Sequence, residues 1–140
     1  MKSNIFFIAL CLMMSLSNCS EEKKEEDSLA NHICQIAGNW NTTSMIENGY
    51  EVLGDDFSWL TMEFENNNKF VWDIGFYNGE QLLLSGNYSE SNCSNIRLNF
   101  NPNDADFTNL EFDLDLNGNE LKLRGWVDGE RYEVKANRIN

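Results

Sequence analysis

The clearest pattern in the chain is an alternation of apolar and polar residues over its last third. Every second residue of 110–116 is apolar and the residues between them are acidic, as expected for a strand with one buried and one solvent-facing side. After an Asn-Gly-Asn break, residues 121–127 alternate again up to an Asp-Gly pair at 128–129. That pair suits the positive φ angles of a type I′ hairpin turn, which would place Leu123 opposite Val134. The pattern therefore predicts a three-stranded antiparallel meander.

Earlier runs show the same two-residue period and are separated by short stretches rich in Asn and Gly. These runs are residues 40–46, 60–64, 70–76, 82–88 and 96–100. The apolar faces of the middle runs match only if the connecting loops have three residues, with Gly79 in the left-handed conformation. In the first run, Trp40, Thr42, Ser44 and Ile46 would share the inner face.

This makes about eight sequential strands with short connections, enough for an antiparallel sheet to close and lose its edges. We therefore predict an all-β fold, a small antiparallel up-and-down barrel of about eight strands. The length of 140 residues and the 41% of hydrophobic residues suit one domain with one core. The net charge of -13 argues against nucleic acid or anionic lipid as a partner.

The N-terminus has the pattern of an export signal. Lys2 supplies a positive charge, residues 5–14 are apolar but too few to span a bilayer, and Leu-Ser-Asn precedes Cys19. This resembles a bacterial lipoprotein signal peptide, in which residues 1–18 would be removed and the Cys19 thiol would carry a lipid such as palmitate. The alternative is ordinary signal-peptidase cleavage, whose pattern of small residues is missing here.

Residues 19–32 follow as the lipidated cysteine and an acidic tether, which we expect to be disordered because it has almost nothing to bury. In some Gram-negative lineages such an acid-rich stretch resembles a signal for transfer to the outer face of the outer membrane. The resemblance implies a lipid-anchored protein of the bacterial outer membrane, exposed at the surface. A solvated spacer that only holds the domain off the bilayer is the alternative.

A second resemblance begins where the folded part begins. Gly38 and Trp40 match the Gly-x-Trp opening of lipocalin-like domains of bacterial lipoproteins, and a series of predicted hairpins follows. The resemblance covers residues 33–140. It implies a lipocalin-like β-barrel domain in which Arg138, after the last strand, packs over Trp40.

Catalytic chemistry has little support in the sequence. The single histidine, His32, lies in the tether, and no serine or cysteine has an evident base. The oxygen-rich segment 101–106 lacks the glycine and terminal glutamate of a calcium loop. We therefore expect no enzyme activity, no catalytic residues, no metal site and no cofactor.

The cysteines outside the signal peptide and the lipidation box are Cys34 and Cys93. An oxidising compartment favours a disulfide between them over thiols. Counting strands up and down places both residues at the same end of the barrel. By the chain-entropy model, closing a loop of this length would stabilise the fold by about 4 kcal/mol.

The same counting puts Trp40, Arg138 and Cys34 at one plugged end, so that the opposite end forms the mouth. The longest loop of the mouth carries apolar residues that a simple turn would not need, and they would form either a binding lip or a lid over the core. Together with inward-facing aromatic residues they give the candidate ligand-binding set. This set is Tyr50, Val52, Leu53, Phe57, Trp72, Tyr88 and Tyr132.

Two functions fit this reading. One is a lipid-anchored, non-catalytic, lipocalin-like protein of the cell envelope that binds a small apolar ligand, because the inward side chains are mostly apolar. The other is a barrel filled by its own side chains, which would act as a structural or protein-interaction module of the outer membrane surface with a protein partner there.

Overall fold

The structure, a computed structural model, describes residues 34–106 and 108–140. The expected signal peptide, the lipidation site Cys19 and the acidic tether lie outside these residues. Across the described residues, no helix has the length and apolar character needed to cross a bilayer.

The described residues form an antiparallel sheet of nine strands, which agrees with the all-β prediction. The strands are β1 (Gly38–Glu47), β2 (Tyr50–Glu51), β3 (Phe57–Phe64), β4 (Lys69–Phe76), β5 (Gln81–Ser91), β6 (Asn95–Phe100), β7 (Asn109–Asn117), β8 (Glu120–Val127) and β9 (Glu130–Ile139).

The sheet closes into a barrel because β1 pairs with β3 on one side and with β9 on the other. Eight strands make the closed ring, and the two-residue β2 is a short addition that pairs with the end of β1. Closure satisfies the backbone groups that open sheet edges would leave unpaired. The predicted eight-stranded up-and-down barrel is therefore confirmed.

Turn chemistry sets the predicted registers. Asp128 and Gly129 have φ angles of 50° and 87°, and the β8–β9 hairpin places Leu123 opposite Val134. In the β4–β5 hairpin, Gly79 has φ of 88° and Trp72 lies opposite Leu84, as a three-residue loop requires. The matched registers keep the apolar residues of neighbouring strands on the same inner face.

One prediction about β1 is wrong. The pairing of β1 with β9 shifts between Thr42 and Ser44, which marks a β-bulge. The extra residue reverses the alternation, so that Met45 is buried while Ser44 and Ile46 are only partly buried. The inner face of β1 is therefore Trp40, Thr42 and then Met45, and not Ser44 and Ile46.

The up-and-down course gives the barrel two different ends. We call the closed end the one where the chain enters at Cys34 and where β3–β4, β5–β6 and β7–β8 are joined. The mouth is the opposite end, formed by the loops 48–56, 77–80, 101–106 and 128–129.

Aromatic side chains fill much of the interior. Phe100 packs edge-on against Phe70 and Trp72, with ring centroids 5.0 Å and 5.9 Å apart, and the Trp72 ring lies 6.1 Å from Phe112. Such edge-to-face contacts add to the stabilisation from burial. On β5, a Cβ at Gly86 would lie 2.0 Å from the carbonyl oxygen of Asn99, so glycine allows β5 and β6 to approach closely here.

Candidate functional site

An apolar pocket of about 200 Å³ lies in the mouth half of the barrel. It exists because inward residues of several strands converge there without filling the space between them. Its lining is Met45, Phe57, Leu60, Trp72, Ile74, Phe76, Leu82, Leu84, Leu110, Phe112, Val127, Tyr132 and Val134. Tyr132 is the one titratable side chain of this lining, so the pocket is suited to an apolar guest.

The structure brings three residues of the expected ligand-binding set into the pocket: Phe57, Trp72 and Tyr132. Two others lie nearby in the longest mouth loop, where Val52 is buried in the core and Leu53 packs against it. Both therefore help to cap the core beside the pocket.

Tyr50 lies outside the pocket. It belongs to β2, and 78% of its surface is exposed. The adjacent Glu51 fastens this short strand, because its carboxylate accepts hydrogen bonds from Ser44 Oγ at 2.5 Å, Met45 N at 2.7 Å and Leu53 N at 3.2 Å. Burial opposes ionisation of Glu51, but these hydrogen bonds outweigh it and lower its pKa.

Tyr88 lies at the other end of the barrel from the pocket. Its hydroxyl donates a hydrogen bond to the Glu65 carbonyl oxygen at 2.9 Å, and its ring packs edge-on against Phe64 with centroids 5.2 Å apart. The side chain faces inward, as alternation predicts, but it lies on the part of β5 that is nearer to the closed end than to the mouth. Tyr88 therefore contributes to the plug of the closed end.

Gly38, Trp40 and Arg138 form one contact at the closed end. The Arg138 guanidinium lies 4.3 Å from the ring centroid of Trp40, which is completely buried. The guanidinium donates hydrogen bonds to the carbonyl oxygens of Ala37, at 2.6 Å, and of Gln35. Since a Cβ at Gly38 would lie 2.5 Å from Arg138 Nη1, glycine leaves the space that the guanidinium occupies.

Cys34 and Cys93 meet at the closed end together with Glu90. The two sulfur atoms and a carboxylate oxygen of Glu90 all lie within 4.8 Å of one another, although the sulfur atoms are not bonded to each other. Burial and hydrogen bonds with Cys93 and Glu90 raise the pKa of the Cys34 thiol. The three groups are close enough to share a metal ion.

The charges near the pocket are negative. Burial, a hydrogen bond with Glu47 and the carboxylates of Glu47, Glu130 and Asp128 raise the pKa of Tyr132 to about 12. The Tyr132 hydroxyl therefore stays neutral at ordinary pH. These carboxylates flank a wall that is itself apolar.

Several pocket residues were not among the expected ligand-binding set. Alternation identifies Leu60, Ile74, Leu84 and Val134 as inward-facing, but it does not tell which inward residues surround an empty space. The sequence gives no indication that Met45 faces inward, because it does so only through the bulge in β1.

Comparisons with known proteins agree on the fold. No family model matches the sequence, and no curated protein matches it. A lipocalin-like protein from Bacteroides uniformis ATCC 8492 is similar in structure, with a TM-score of 0.57 and 17% identity over 74% of this chain and 98% of that chain. A de novo designed fluorescence-activating β-barrel has a TM-score of 0.52 and 15% identity over 74% of this chain and 93% of that chain.

An uncharacterized protein from Bacteroides eggerthii DSM 20697 covers 71% of this chain and 97% of its own, with 15% identity and a TM-score of 0.48. The likeness to the lipocalin-like protein and to the designed barrel, at 17% and 15% identity, concerns the fold alone. The described part of the chain is a small, closed, antiparallel β-barrel with a lipocalin-like fold.

Proposed function

We propose that the protein is a lipid-anchored, non-catalytic binding protein of the bacterial cell envelope whose barrel takes up a small apolar ligand. The observation that supports this most directly is the apolar pocket at the mouth. A barrel whose own side chains filled it would have no such space. The lipocalin-like fold also suggests a binding protein, although a fold by itself does not define a function.

The volume of the pocket limits the size of the ligand. Pockets for drug-sized molecules measure about 300 to 1,000 Å³, whereas an apolar cavity of about 150 Å³ can hold benzene. A pocket of about 200 Å³ therefore suits one ring or a short alkyl chain. Burying such a group would contribute roughly 25 cal/mol for each Å² of apolar surface removed from water.

The proposal includes no catalysis, and the chemistry of the lining supports this part of it. Tyr132 is its one titratable residue, and with a pKa of about 12 it is poorly suited to accept or donate protons near neutrality. Location at the outer membrane rests on the sequence of residues 1–32, in which Cys19 would carry the lipid.

The alternative function is a structural or protein-interaction module of the outer membrane surface. It is favoured by the aromatic contacts of Phe70, Trp72, Phe100 and Phe112, which fill the barrel below the pocket. That function would leave the pocket without a guest and would require a protein partner.

Thermal denaturation with toluene as probe separates the two functions. A ligand at 100 times its Kd stabilises the folded state by about 2.7 kcal/mol, which for a domain of this size raises Tm by about 10 °C or more. Val134→Phe should abolish the rise, because the added ring occupies the pocket. The matched control is Leu83→Phe, which places the same ring on the exposed outer face of β5.

An unchanged Tm of the wild-type barrel at saturating toluene would reject ligand binding and leave the structural module. Mass spectrometry of an organic extract from the purified protein is an independent test, because it detects any small molecule that the barrel retains from the cell.

A further inference from the structure

A second pocket, of about 330 Å³, adjoins the apolar one at the mouth. Leu82 and Leu84 line both, so the two spaces share a wall. The remaining lining of the second pocket differs, because Asp104, Asp106 and Asp128 contribute to it. An apolar space and an acidic space therefore lie side by side at the same opening.

The acidic space is partly fixed in position. The Asp104 carboxylate accepts hydrogen bonds from Ser85 N at 3.1 Å and from Ser85 Oγ at 2.6 Å, which fastens the loop 101–106 to β5. Asp128 occupies the tight turn between β8 and β9. The Asp104 carboxylate is thus fixed by hydrogen bonds, whereas the turn fixes the backbone position of Asp128.

Other carboxylates act on the wall of the apolar pocket. Glu47, Glu130 and Asp128 all raise the pKa of Tyr132, which belongs to this wall. Acidic residues thus occur at the mouth end of β1, in the β8–β9 turn, at the start of β9 and in the loop after β6.

All but one of the basic residues in the described part of the chain lie away from the mouth. Arg97 pairs with Glu111, and Lys122, Arg124 and Lys135 surround Glu133 on the outer face. Arg138 and Lys69 belong to the closed end, which leaves Arg131, after the β8–β9 turn, as the basic residue nearest the mouth. A cleft lined by one sign of charge concentrates ions of the opposite sign.

We propose that the ligand of the pocket is an apolar cation, with a ring or short alkyl body and an ammonium group. This inference rests on the proposed function. The body occupies the apolar pocket, and the ammonium lies toward Asp104, Asp106 and Asp128 across the shared wall of Leu82 and Leu84. Carboxylates of fatty-acid type are repelled.

Three probes of nearly equal shape test the charge preference by isothermal titration calorimetry. They are 2-phenylethylamine, which is cationic, 2-phenylethanol, which is neutral, and 3-phenylpropionate, which is anionic. We expect the amine to bind on the order of tenfold more tightly than the alcohol, and the anion to bind most weakly. The difference between amine and alcohol should shrink when the salt concentration rises, since salt screens the exposed carboxylates.

Paired substitutions then locate the charges. The double variant Asp106→Asn, Asp128→Asn should reduce the preference for the amine while leaving the affinity for the alcohol nearly unchanged. The matched control is Asp113→Asn, Asp115→Asn, which removes the same net charge from the outer face of β7. The control should retain the preference.

The outcomes distinguish the two proposals. If the alcohol binds as tightly as the amine, or the anion does, the charge preference is rejected while the apolar pocket stands. If the double variant at the mouth and the control on β7 lose the preference equally, the preference arises from net charge and the site is rejected. If none of the three probes binds, both the pocket function and the charge preference are rejected.

Discussion

At the scale of single residues, the closed end depends on Arg138 and on the two residues that surround its guanidinium. Trp40 provides the ring beneath it, and Gly38 provides the space beside it at a φ angle of 141°, where side chains are strained. The Trp40 indole also donates a hydrogen bond to the Ile36 carbonyl oxygen at 2.8 Å, which fixes the entering chain. The Gly-x-Trp motif therefore provides the space and the aromatic ring that accommodate Arg138, almost a hundred residues later in the chain.

Replacing Trp40 should destabilise the barrel more than replacing Arg138. Trp40→Ala removes a completely buried indole, which costs about 3 to 5 kcal/mol. Arg138→Met loses a cation–π contact worth about 0.5 to 2 kcal/mol and two hydrogen bonds to carbonyl oxygens, which water can partly replace at this part-exposed site. The two effects should be non-additive in a double-mutant cycle measured by urea denaturation. Additive effects would contradict an energetic coupling between the two side chains.

A glycine substitution tests the space beside the guanidinium. Gly38→Ala should destabilise by about 1 to 3 kcal/mol, because the new Cβ would lie 2.5 Å from Arg138 Nη1 on a strained backbone. The cost should fall in the Arg138→Met background, where the guanidinium is gone. Gly54→Ala is the control, since its φ of 101° is also unfavourable but no atom lies within 4 Å of the added Cβ.

At the scale of elements, the short strand β2 depends on one carboxylate. Glu51 connects β2 to Ser44 and Met45 of β1 and to Leu53, and its pKa is lowered by these contacts. A lowered pKa in the folded state means that the carboxylate stabilises the fold above the unfolded pKa, near 4.5. That stabilisation is lost as the pH falls through the lower folded value.

Glu51→Gln should therefore lower the urea midpoint at pH 6 and reduce the further loss of stability between pH 5 and pH 3. Glu120→Gln, at the start of β8 and on an exposed position, controls for the removal of one surface charge. If stability falls equally with pH in Glu51→Gln and in the wild type, the ionisation of Glu51 does not contribute to the pH dependence of stability.

The disulfide between Cys34 and Cys93 stays a prediction, for two residues whose sulfur atoms the structure brings close together at the closed end. Cys93 lies in the β5–β6 turn with a φ angle of 54°. Alkylation without reductant, followed by intact-mass measurement, should leave both cysteines unmodified. Reduction should then lower stability by up to about 4 kcal/mol.

Two alkylated thiols would contradict the disulfide. In that case protection of both thiols by added Zn²⁺, lost in Glu90→Gln, would identify the three converging side chains as a metal site instead.

The elements that sequence could predict are those in which side-chain chemistry fixes the backbone. Asp128 and Gly129 define a turn type, the turn defines the register, and the register places Leu123 opposite Val134. The bulge in β1 was not predicted, because Thr42, Thr43 and Ser44 are all small and polar. The sequence therefore does not distinguish the inner face of the strand from the outer face at these positions. Only the pairing with β9 determines which of them faces inward.

At the scale of the whole molecule, the two ends of the barrel differ in kind. The closed end gathers Trp40, Tyr88 and the entering chain, whereas the mouth combines an apolar pocket with carboxylates. Alternation predicts that Tyr88 and Tyr132 both face inward, so the two residues look alike in the sequence. Their different positions along the barrel axis, and the space left between side chains, depend on how all the strands pack together.

Lipid anchoring is predicted at Cys19. Cys19→Ala should abolish labelling of the protein by a clickable fatty acid and should release it from the membrane fraction into the soluble fraction. The control is Cys11→Ala, which removes another cysteine and leaves the lipoprotein box intact. Labelling that survives in Cys19→Ala would remove the lipoprotein assignment and, with it, the proposed outer membrane location.

The pairing of β1 with β9 also determines when the barrel can finish folding. Trp40 and Arg138 are direct partners in this ladder, although nearly the whole domain separates them along the chain. Contacts between distant segments form slowly, since a long loop must first be closed. Until the last strand is synthesised and docked, β1 and β8 present open edges that can pair with other chains. The C-terminal ten residues are thus needed to close the barrel. Deleting them would leave an open sheet that is prone to aggregation.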